Sequence, residues 1–285
     1  MSENANIPFR KMNGLGNDFV ILDGRKRPIK IDESLARSIA DRNSGIGCDQ
    51  LIVFDNSVIA DVRMRIWNHD GGEVESCGNA TRCVGDILLD DDPSASLSVE
   101  TNGGLLNCTR APEGLISVDM GAPKFHWSQI PLAEEFHDTR AVELQIGPID
   151  DPILHTPSVV NVGNPHCVFW VEDETKYDLT KVGPLLENHP LFPQRANISL
   201  ARVVNREHIV LNVWERGVGI TRACGTAACA TMAAAARKNL TERTATITLP
   251  GGDLQMAWRE EDDHIIMTGP VAYEFEGTLP EGLRV

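Results

Sequence analysis

The chain has 285 residues, which suits one large or two medium domains with buried cores. Its net charge of −15 at pH 7 argues against binding to nucleic acid or to anionic lipid. The sequence contains no apolar stretch long enough to span a membrane and no signal-peptide pattern, and seven cysteines are an odd number for a disulfide framework, so we expect a cytoplasmic protein.

The first half of the chain predicts strand, helix, two strands, helix and further strands. The expected ranges are 18–23, 32–45, 51–54, 60–67, a helix after 77–78, and strands within 96–119. Asp32 is a residue type that caps helices, and the chain should leave that helix at the Asn-Ser-Gly of 43–45. Arg63 and Arg65 alternate with apolar residues, which is the period of a strand with one buried face.

The second half predicts the same order of elements. The expected ranges are 165–171, 178–189, 198–204, 208–214, 226–239, and strands within 244–268. The helix at 226–239 is largely alanine and carries no charge before Arg237, so it should be buried on all sides. The last segment, 271–285, extends past the second half, and we expect it to pair back onto the first domain.

The two halves form an internal repeat with a constant offset of 147 residues. Trp67, followed ten residues later by Cys77, matches Trp214, followed ten residues later by Cys224. The same offset pairs polar residues, namely Asn17 with Asn164, Gln50 with Asn197, and Asn68 with Glu215. Because the repeated positions are polar rather than apolar, we expect the halves to contribute equivalent groups to one shared cleft.

This repeat predicts an α+β fold made of two similar domains. Each domain should be a curved, mostly antiparallel sheet or barrel around a central helix, with a cysteine at the N-terminus of that helix. The expected boundaries are 1–124 for the first domain, with 270–285 returning to it, and 125–269 for the second.

The chemistry should come from the two cysteines that begin the central helices. A cysteine at a helix N-terminus lies against backbone N–H groups and the positive end of the helix dipole, which favour the thiolate. The same N–H groups can hold a carboxylate, and Gly78 and Gly225 let a ligand approach the backbone closely. With Cys77 and Cys224 on opposite faces of one α-carbon, one sulfur would remove a proton and the other would deliver one. This predicts a cofactor-independent amino-acid racemase or epimerase, its carbanion stabilised by preorganised amides.

Simpler interpretations exist for several of these residues. The other five cysteines are expected to be small packing residues; they are at positions 48, 83, 108, 167 and 229. The cysteine spacings within the two central helices lack the two-residue gap usual for zinc, so no metal site is expected. Asn17 and Asn164 could be turn residues, and His166 could be a buried structural histidine.

Four segments resemble the motifs of the diaminopimelate epimerase family. They are residues 11–19 (KMNGLGNDF), 68–79 (NHDGGEVESCGN), 163–166 (GNPH) and 215–226 (ERGVGITRACGT). The similarity extends from about residue 9 to residue 270. Three positions depart from the family pattern: Ala80 and Ala227 stand where glycine is more frequent, and Ile220 stands where glutamate is frequent.

The resemblance implies interconversion of LL- and meso-2,6-diaminopimelate in lysine and peptidoglycan-precursor synthesis, without pyridoxal phosphate, metal or any other cofactor. Cys77 and Cys224 would be the acid–base residues, with His166 and Glu215 tuning the thiols. The small-molecule substrate would be bound by Asn17, Gln50, Asn68, Gly78, Asn79, Asn164, Asn197, Glu215, Arg216, Gly225 and Thr226. Arg216 would take the distal carboxylate in a bidentate manner. No nucleic-acid or membrane partner is implied, and a homodimer is compatible with the sequence.

Two alternatives stay open from the sequence. One is a proline or hydroxyproline racemase, or a related isomerase of the same fold. Those families typically carry Cys-Gly-His in place of Cys77-Gly78-Asn79, and a substrate with one carboxylate would not need Arg216. A noncatalytic binding or thiol-redox protein would show no uptake of solvent deuterium at a substrate α-carbon.

Overall fold

The structure is a computed structural model that describes residues 7–89, 95–280 and 283. It divides into two compact units: unit 1 holds the described residues up to 118 and from 269 onward, and unit 2 holds residues 119–268. Within the described residues, the longest helix has 13 residues, and none has the length and apolar character needed to cross a lipid bilayer.

The helices are α1 (Glu33–Ala40), α2 (Gly78–Leu88), α3 (Leu179–Glu187) and α4 (Gly225–Arg237). The strands are β1 (Pro8–Gly14), β2 (Asn17–Asp23), β3 (Gln50–Asp55), β4 (Val62–Asn68), β5 (Glu73–Val74), β6 (Ser96–Thr101), β7 (Gly104–Arg110), β8 (Ile116–Asp119), β9 (Gln145–Ile146), β10 (Leu154–His155), β11 (Ser158–Asn161), β12 (Pro165–Trp170), β13 (Asn197–Asn205), β14 (His208–Glu215), β15 (Gly219–Ile220), β16 (Thr244–Leu249), β17 (Gly252–Trp258), β18 (Ile265–Gly269) and β19 (Ala272–Thr278).

Unit 1 is built on a mixed sheet that uses both ends of the chain. Its strands pair in the order β19, β1, β2, β3, β4, β6 and β7. The pairs β2–β3 and β4–β6 are parallel, and the other pairs are antiparallel. The sheet is therefore mostly antiparallel, and each parallel pair is joined through a helix, as parallel strands require.

Unit 2 repeats six of these strands, since β11, β12, β13, β14, β16 and β17 correspond to β1, β2, β3, β4, β6 and β7, and β18 adds a seventh strand. Its order is β11, β12, β13, β14, β16, β17 and β18, with β12–β13 and β14–β16 parallel. The register repeats as well: Phe19 pairs with Gln50 in unit 1, and His166 pairs with Asn197 in unit 2. Both residues of the second pair lie 147 positions after those of the first, which confirms the predicted duplication into two similar domains.

One helix of each unit lies within the curve of its sheet. Helix α2 contacts β1, β6 and β7, and α4 contacts β11, β12, β13, β16 and β17. A single helix reaches strands near both edges of a sheet only if the sheet curves around it. Residues 225 and 227–235 of α4 are all buried, and the alanine side chains let the strands approach closely. The expected burial of this helix on all sides is confirmed.

The second helix of each unit covers the opposite face of the sheet. In unit 1, Ile39 of α1 packs in one cluster with Val20 and Leu22 of β2. Phe19 and Ile21, which alternate with them along the strand, are buried too. Strand β2 therefore has apolar residues on both faces, which explains its continuous apolar run. In unit 2, α3 packs in the corresponding way in its own cluster.

Helix α1 begins as predicted and ends earlier than predicted. Asp32 is its N-cap residue and accepts a hydrogen bond from Leu35 N at 2.8 Å. The helix ends at Ala40 rather than at residues 43–45, because the Asp41 carboxylate accepts from Asn43 N and Ser44 N. A side chain that takes these backbone donors replaces further helical hydrogen bonds with a turn.

Candidate active site

The two cysteines hold equivalent places, at the N-termini of the central helices. Cys77 is the N-cap residue of α2 and Cys224 that of α4, and neither side chain makes a capping hydrogen bond. The first intrahelical bonds run to the two cysteine carbonyls, from Thr81 N at 2.9 Å and from Ala228 N at 3.1 Å. Neither sulfur therefore caps its helix. Each lies at the helix N-terminus, where the N–H groups of the first turn have no acceptor within the helix.

In unit 1, strand ends bring polar side chains to one edge of the sheet. Asn17 begins β2, Gln50 begins β3 and Asn68 ends β4. Gln50 lies opposite Asn68 in the ladder, and its Nε2 donates to Asn68 Oδ1 at 2.9 Å. The other end of this side chain, Oε1, is buried and has no hydrogen-bond partner among the described residues. A buried acceptor in this state is suited to a donor supplied by a ligand.

Three predicted site residues meet around the Asn17 carbonyl oxygen. Asn17 Oδ1 accepts from Asn79 Nδ2 at 3.3 Å and lies 3.9 Å from the half-buried Cys77 Sγ, within range of a weak thiol hydrogen bond. Asn79 is the second residue of α2 and is only 2% exposed. Asn17 is therefore held against the start of the helix that carries Cys77.

In unit 2, the residue equivalent to Asn17 is held by a buried histidine. Asn164 Oδ1 lies 2.7 Å from His166 Nε2. Burial, reinforced by the nearby positive charge of Arg216, lowers the pKa of His166 to about 3. The ring is therefore neutral at physiological pH, and a carbonyl acceptor at Nε2 places the proton on that nitrogen. The buried Nδ1 has no hydrogen-bond partner among the described residues.

The turn that follows β14 carries two further predicted residues. Glu215 is the last residue of β14 and accepts a hydrogen bond from Thr221 Oγ1. Arg216 N donates to Asn197 Oδ1 at 3.0 Å, while Asn197 Nδ2 donates to Pro165 O at 2.9 Å. Asn197 is only 3% exposed, and both ends of its side-chain amide therefore bond to backbone atoms, Arg216 N and Pro165 O. Its position explains how Arg216 is oriented; the substrate contact predicted for Asn197 stays a prediction.

The buried sulfur of Cys224 lies beside the first turn of helix α4. Cys224 is 5% exposed, and its Sγ lies 3.5 Å from Thr226 Oγ1. Gly225, the first helical residue, is buried and has no side chain to block the backbone. Cys224 is thus more deeply buried than Cys77, although the two occupy the same place in the repeat.

The other five cysteines are all buried, as expected for packing residues. Burial raises the pKa of Cys48 and of Cys108 to about 12. It raises the pKa of Cys83 and of Cys167 further above the usual range. The thiols of Cys48, Cys83, Cys108 and Cys167 therefore stay protonated at physiological pH, and a protonated thiol is a poor base and a poor nucleophile.

Sequence reasoning missed two carboxylates that hold the site residues. Asp49 accepts from Asn17 Nδ2 at 3.0 Å. Glu187, only 5% exposed at the end of α3, accepts from Trp214 Nε1 at 2.7 Å and from Gly217 N at 2.9 Å. Glu187 thereby ties α3 to the turn that carries Arg216. Asp49 precedes a repeated polar position, but no local pattern marks Glu187.

One group of potential metal ligands occurs among the described residues. Asp119, Asp262 and His264 bring one ligand atom each within 4.8 Å of one another. The Arg259 guanidinium already lies among them, 2.7 Å from Asp119 and 2.5 Å from Asp262. A positive side chain in that place neutralises the carboxylates, so the group is an ion-pair network. It contains none of the predicted site residues.

Sequence comparisons agree on one family. The family model described as diaminopimelate epimerase matches residues 9–126 and 158–274. A diaminopimelate epimerase from Rhodopseudomonas palustris (strain BisB18) is 55% identical over 279 residues, which cover 97% of this chain and 96% of that protein. A diaminopimelate epimerase from Afipia carboxidovorans is 53% identical over 282 residues, which cover 98% of this chain and 97% of that protein.

Solved structures with much lower sequence identity share the fold. A hydroxyproline epimerase from Agrobacterium vitis superimposes with a TM-score of 0.69 at 13% identity, covering 98% of this chain and 94% of that one. A probable proline racemase from Agrobacterium radiobacter gives a TM-score of 0.67 at 14% identity, covering 96% and 93%. At this level of identity the likeness establishes the duplicated architecture and no more.

Proposed function

The chain belongs to the diaminopimelate epimerase family, and on that premise we propose that it interconverts LL- and meso-2,6-diaminopimelate with Cys77 and Cys224 as a pair of acid–base thiols. The observation that carries this proposal is the equivalence of the two cysteines. Each precedes the buried central helix of its unit, and neither sulfur is used as a helix cap.

The proposed reaction is a proton exchange at one carbon. One sulfur, as thiolate, takes the proton from the α-carbon, and the other sulfur, as thiol, gives a proton to the opposite face. The electron pair of the broken C–H bond stays on carbon and forms the new C–H bond. Nothing is oxidised or reduced, and the protonation states of the two sulfurs are exchanged after each turnover. The reverse reaction uses the same groups in exchanged roles.

The α-carbon is weakly acidic, so the negative charge that develops when it loses its proton must be stabilised by the first-turn amides of α2 and α4. We propose that the N–H groups of Gly78, Asn79, Gly225 and Thr226 hold the carboxylate of the reacting centre. Preorganised donors aimed at developing negative charge usually contribute more than any other single effect to such catalysis. The absence of a side chain at Gly78 and Gly225 favours close approach of the carboxylate to these amides.

Specificity for a substrate with two carboxylates rests on Arg216 in this proposal. Its Nη1 donates to Gln194 O at 3.0 Å, which anchors one part of the guanidinium. A guanidinium has five N–H donors, so others can pair with the distal carboxylate in a bidentate manner. The buried acceptor Gln50 Oε1 suits a substrate ammonium. The biosynthetic role of such a substrate favours a cytoplasmic location.

Solvent exchange tests the proposal directly. The purified protein is incubated with LL-diaminopimelate in D₂O, and deuterium at the α-carbon is followed by mass spectrometry. Cys77→Ala and Cys224→Ala should each lower the rate of epimerisation by about 100- to 10,000-fold, the usual contribution of an acid–base group.

Matched controls come from the same two helices. Cys83→Ala on α2 and Cys229→Ala on α4 remove buried thiols that the mechanism does not use, and both should keep the exchange activity. Proline serves as the control substrate. Exchange at proline without exchange at diaminopimelate, or full activity in Cys77→Ala, would overturn the assignment.

A further inference from the structure

The side-chain amide of Asn17 has different partners at its two ends. Its Nδ2 donates to Asp49 Oδ2 at 3.0 Å. Its Oδ1 accepts from Asn79 Nδ2 at 3.3 Å and lies 3.9 Å from Cys77 Sγ. Whether Oδ1 or Nδ2 of Asn17 faces Cys77 Sγ therefore depends on the group that bonds the opposite end of the amide.

Asp49 can fix only one orientation. An ionised carboxylate accepts hydrogen bonds and donates none, so it must face the NH₂ end of the Asn17 amide. The reversed amide would bring two acceptor oxygens together. Asp49 is itself held in place, because Oδ2 also accepts from Asp18 N at 3.1 Å and Oδ1 accepts from Arg42 Nη2 at 2.7 Å.

From this geometry we propose that Asp49 is a positioning residue that keeps the Asn17 carbonyl oxygen directed at Cys77 Sγ and thereby favours the protonated state of the Cys77 thiol in the free enzyme. A carbonyl oxygen accepts a hydrogen bond from S–H and repels S⁻. The inference rests on the proposed function, because Cys77 is one of the two proposed acid–base thiols.

The second unit shows what happens where Asp49 is missing. At the offset of 147 residues, Ala196 replaces Asp49 and Pro165 replaces Asp18. Proline has no N–H, so no carboxylate is needed to accept from it. Asn164 instead directs its carbonyl oxygen at His166 Nε2, 2.7 Å away. The Asn164 carbonyl in unit 2 therefore pairs with a histidine N–H, whereas the Asn17 carbonyl in unit 1 accepts from Asn79 and lies within range of the Cys77 thiol.

The charged and titratable groups around Asn17 and Cys77 are largely paired with one another. Asp18 pairs with both Lys11 and Arg42. Helix α2 adds the buried Arg82 and the buried Cys83 thiol. Apart from Asp49, whose Oδ1 pairs with Arg42, these groups include Lys11, Asp18, Arg42, Arg82 and Cys83. The buried Cys48 thiol lies beside Lys11, Asp18 and Asp49, and Arg37, Asp41 and His69 line the same cavity as Asp49. Only Asp49 among them bonds the Asn17 side chain directly.

Alkylation of Cys77 by iodoacetamide tests the proposal, because the reagent reacts with the thiolate. The ligand-free, full-length protein is alkylated from pH 6 to pH 9, and modification of the Cys77 peptide is followed by mass spectrometry. Asp49→Ala frees the Asn17 amide to rotate, and Cys77 should then react about five-fold faster at neutral pH, the effect of one hydrogen bond. Asp49→Asn should react like the unmodified protein, because its oxygen can still hold Asn17 Nδ2 and Asp18 N.

The same measurement in an Asn17→Ala background separates orientation from charge. If Asp49 acts through Asn17, Asp49→Ala changes nothing in that background. The proposal is overturned if Asp49→Ala speeds Cys77 alkylation as much in the Asn17→Ala background as in the native one. It is also overturned if Asp49→Asn speeds alkylation as much as Asp49→Ala, or if Asp49→Ala alone has no effect. Should Asp49→Ala fail to fold, Asp49→Ser, whose hydroxyl can accept from Asp18 N, replaces it. Since alkylation needs no substrate, this outcome is independent of the diaminopimelate exchange assay.

Discussion

At the scale of single residues, burial decides the protonation state of His166. The ring is fully buried in unit 2, and desolvation together with the Arg216 charge holds its pKa near 3. A group whose pKa is lower in the folded protein than in the unfolded chain stabilises the fold only above the unfolded value, here about 6.5. Stability should therefore fall as the pH falls from about 6.5 towards 3.

His166→Gln is expected to remove part of this acid sensitivity. One buried neutral histidine contributes a slope of at most about 1.4 kcal/mol per pH unit below its unfolded pKa. We expect the free energy of unfolding, measured in urea at pH 7.5, 6.0 and 5.0, to depend less on pH in the variant. His137→Gln is the control, since that side chain is 95% exposed. Identical pH slopes for His166→Gln and the unmodified protein would contradict the expectation.

At the scale of elements, the Ala-rich composition of α4 is a packing requirement. The helix contacts five strands of its own unit, and ten of its 13 residues are buried. Larger side chains would push the surrounding strands away. The other central helix, α2, has fewer alanines and contacts β1, β6 and β7. The same architecture is thus filled by different residues in the two units.

Overpacking of α4 should destabilise the protein. Ala230 is fully buried, and Ala230→Leu should lower the free energy of unfolding by about 1–3 kcal/mol. Ala236 lies on the same helix and is only partly buried. Because leucine and alanine both favour helices, Ala236→Leu should cost less than about 0.5 kcal/mol. Chemical denaturation of both variants checks the difference, and equal losses would show that packing is not the cause.

At the scale of the whole molecule, unit 1 depends on both ends of the chain. Strand β19 pairs antiparallel with β1, and Leu279 N donates to Ile7 O at 2.8 Å. Leu279 is fully buried in the same apolar cluster as Ile7 and Phe9. The C-terminal segment is therefore part of the core of unit 1 and does not merely lie on its surface.

Leu279→Ala should weaken unit 1 selectively. A leucine-to-alanine change in a core costs about 2–5 kcal/mol. Amide hydrogen exchange should show lost protection in β1 and β2 while β12 and β13 keep theirs. Glu276→Ala, at an exposed position of β19, should leave both unchanged. Loss of protection in the strands of both units to the same degree would show that the two cores do not unfold separately.

The duplication, the order of the elements from β2 and from β12 onward, and the position of each cysteine before its central helix were predictable from the sequence, whereas the strands β1 and β11 were missed. These features depend on local rules: apolar periodicity marks helices and strands, and the offset of 147 residues is visible in Trp67, Trp214 and the two Cys-Gly pairs. The end of α1 was harder to place, because a single Asp41 side chain stopped it early.

The groups that hold the site residues could be identified only in the folded protein. Asp49 bonds Asn17 across 32 positions of sequence, and Glu187 bonds Gly217 across 30. Such partners are chosen by the register of strands and by where a helix ends against them, which no local pattern encodes. The same is true of His166, because its neutral state depends on burial produced by the complete fold of unit 2.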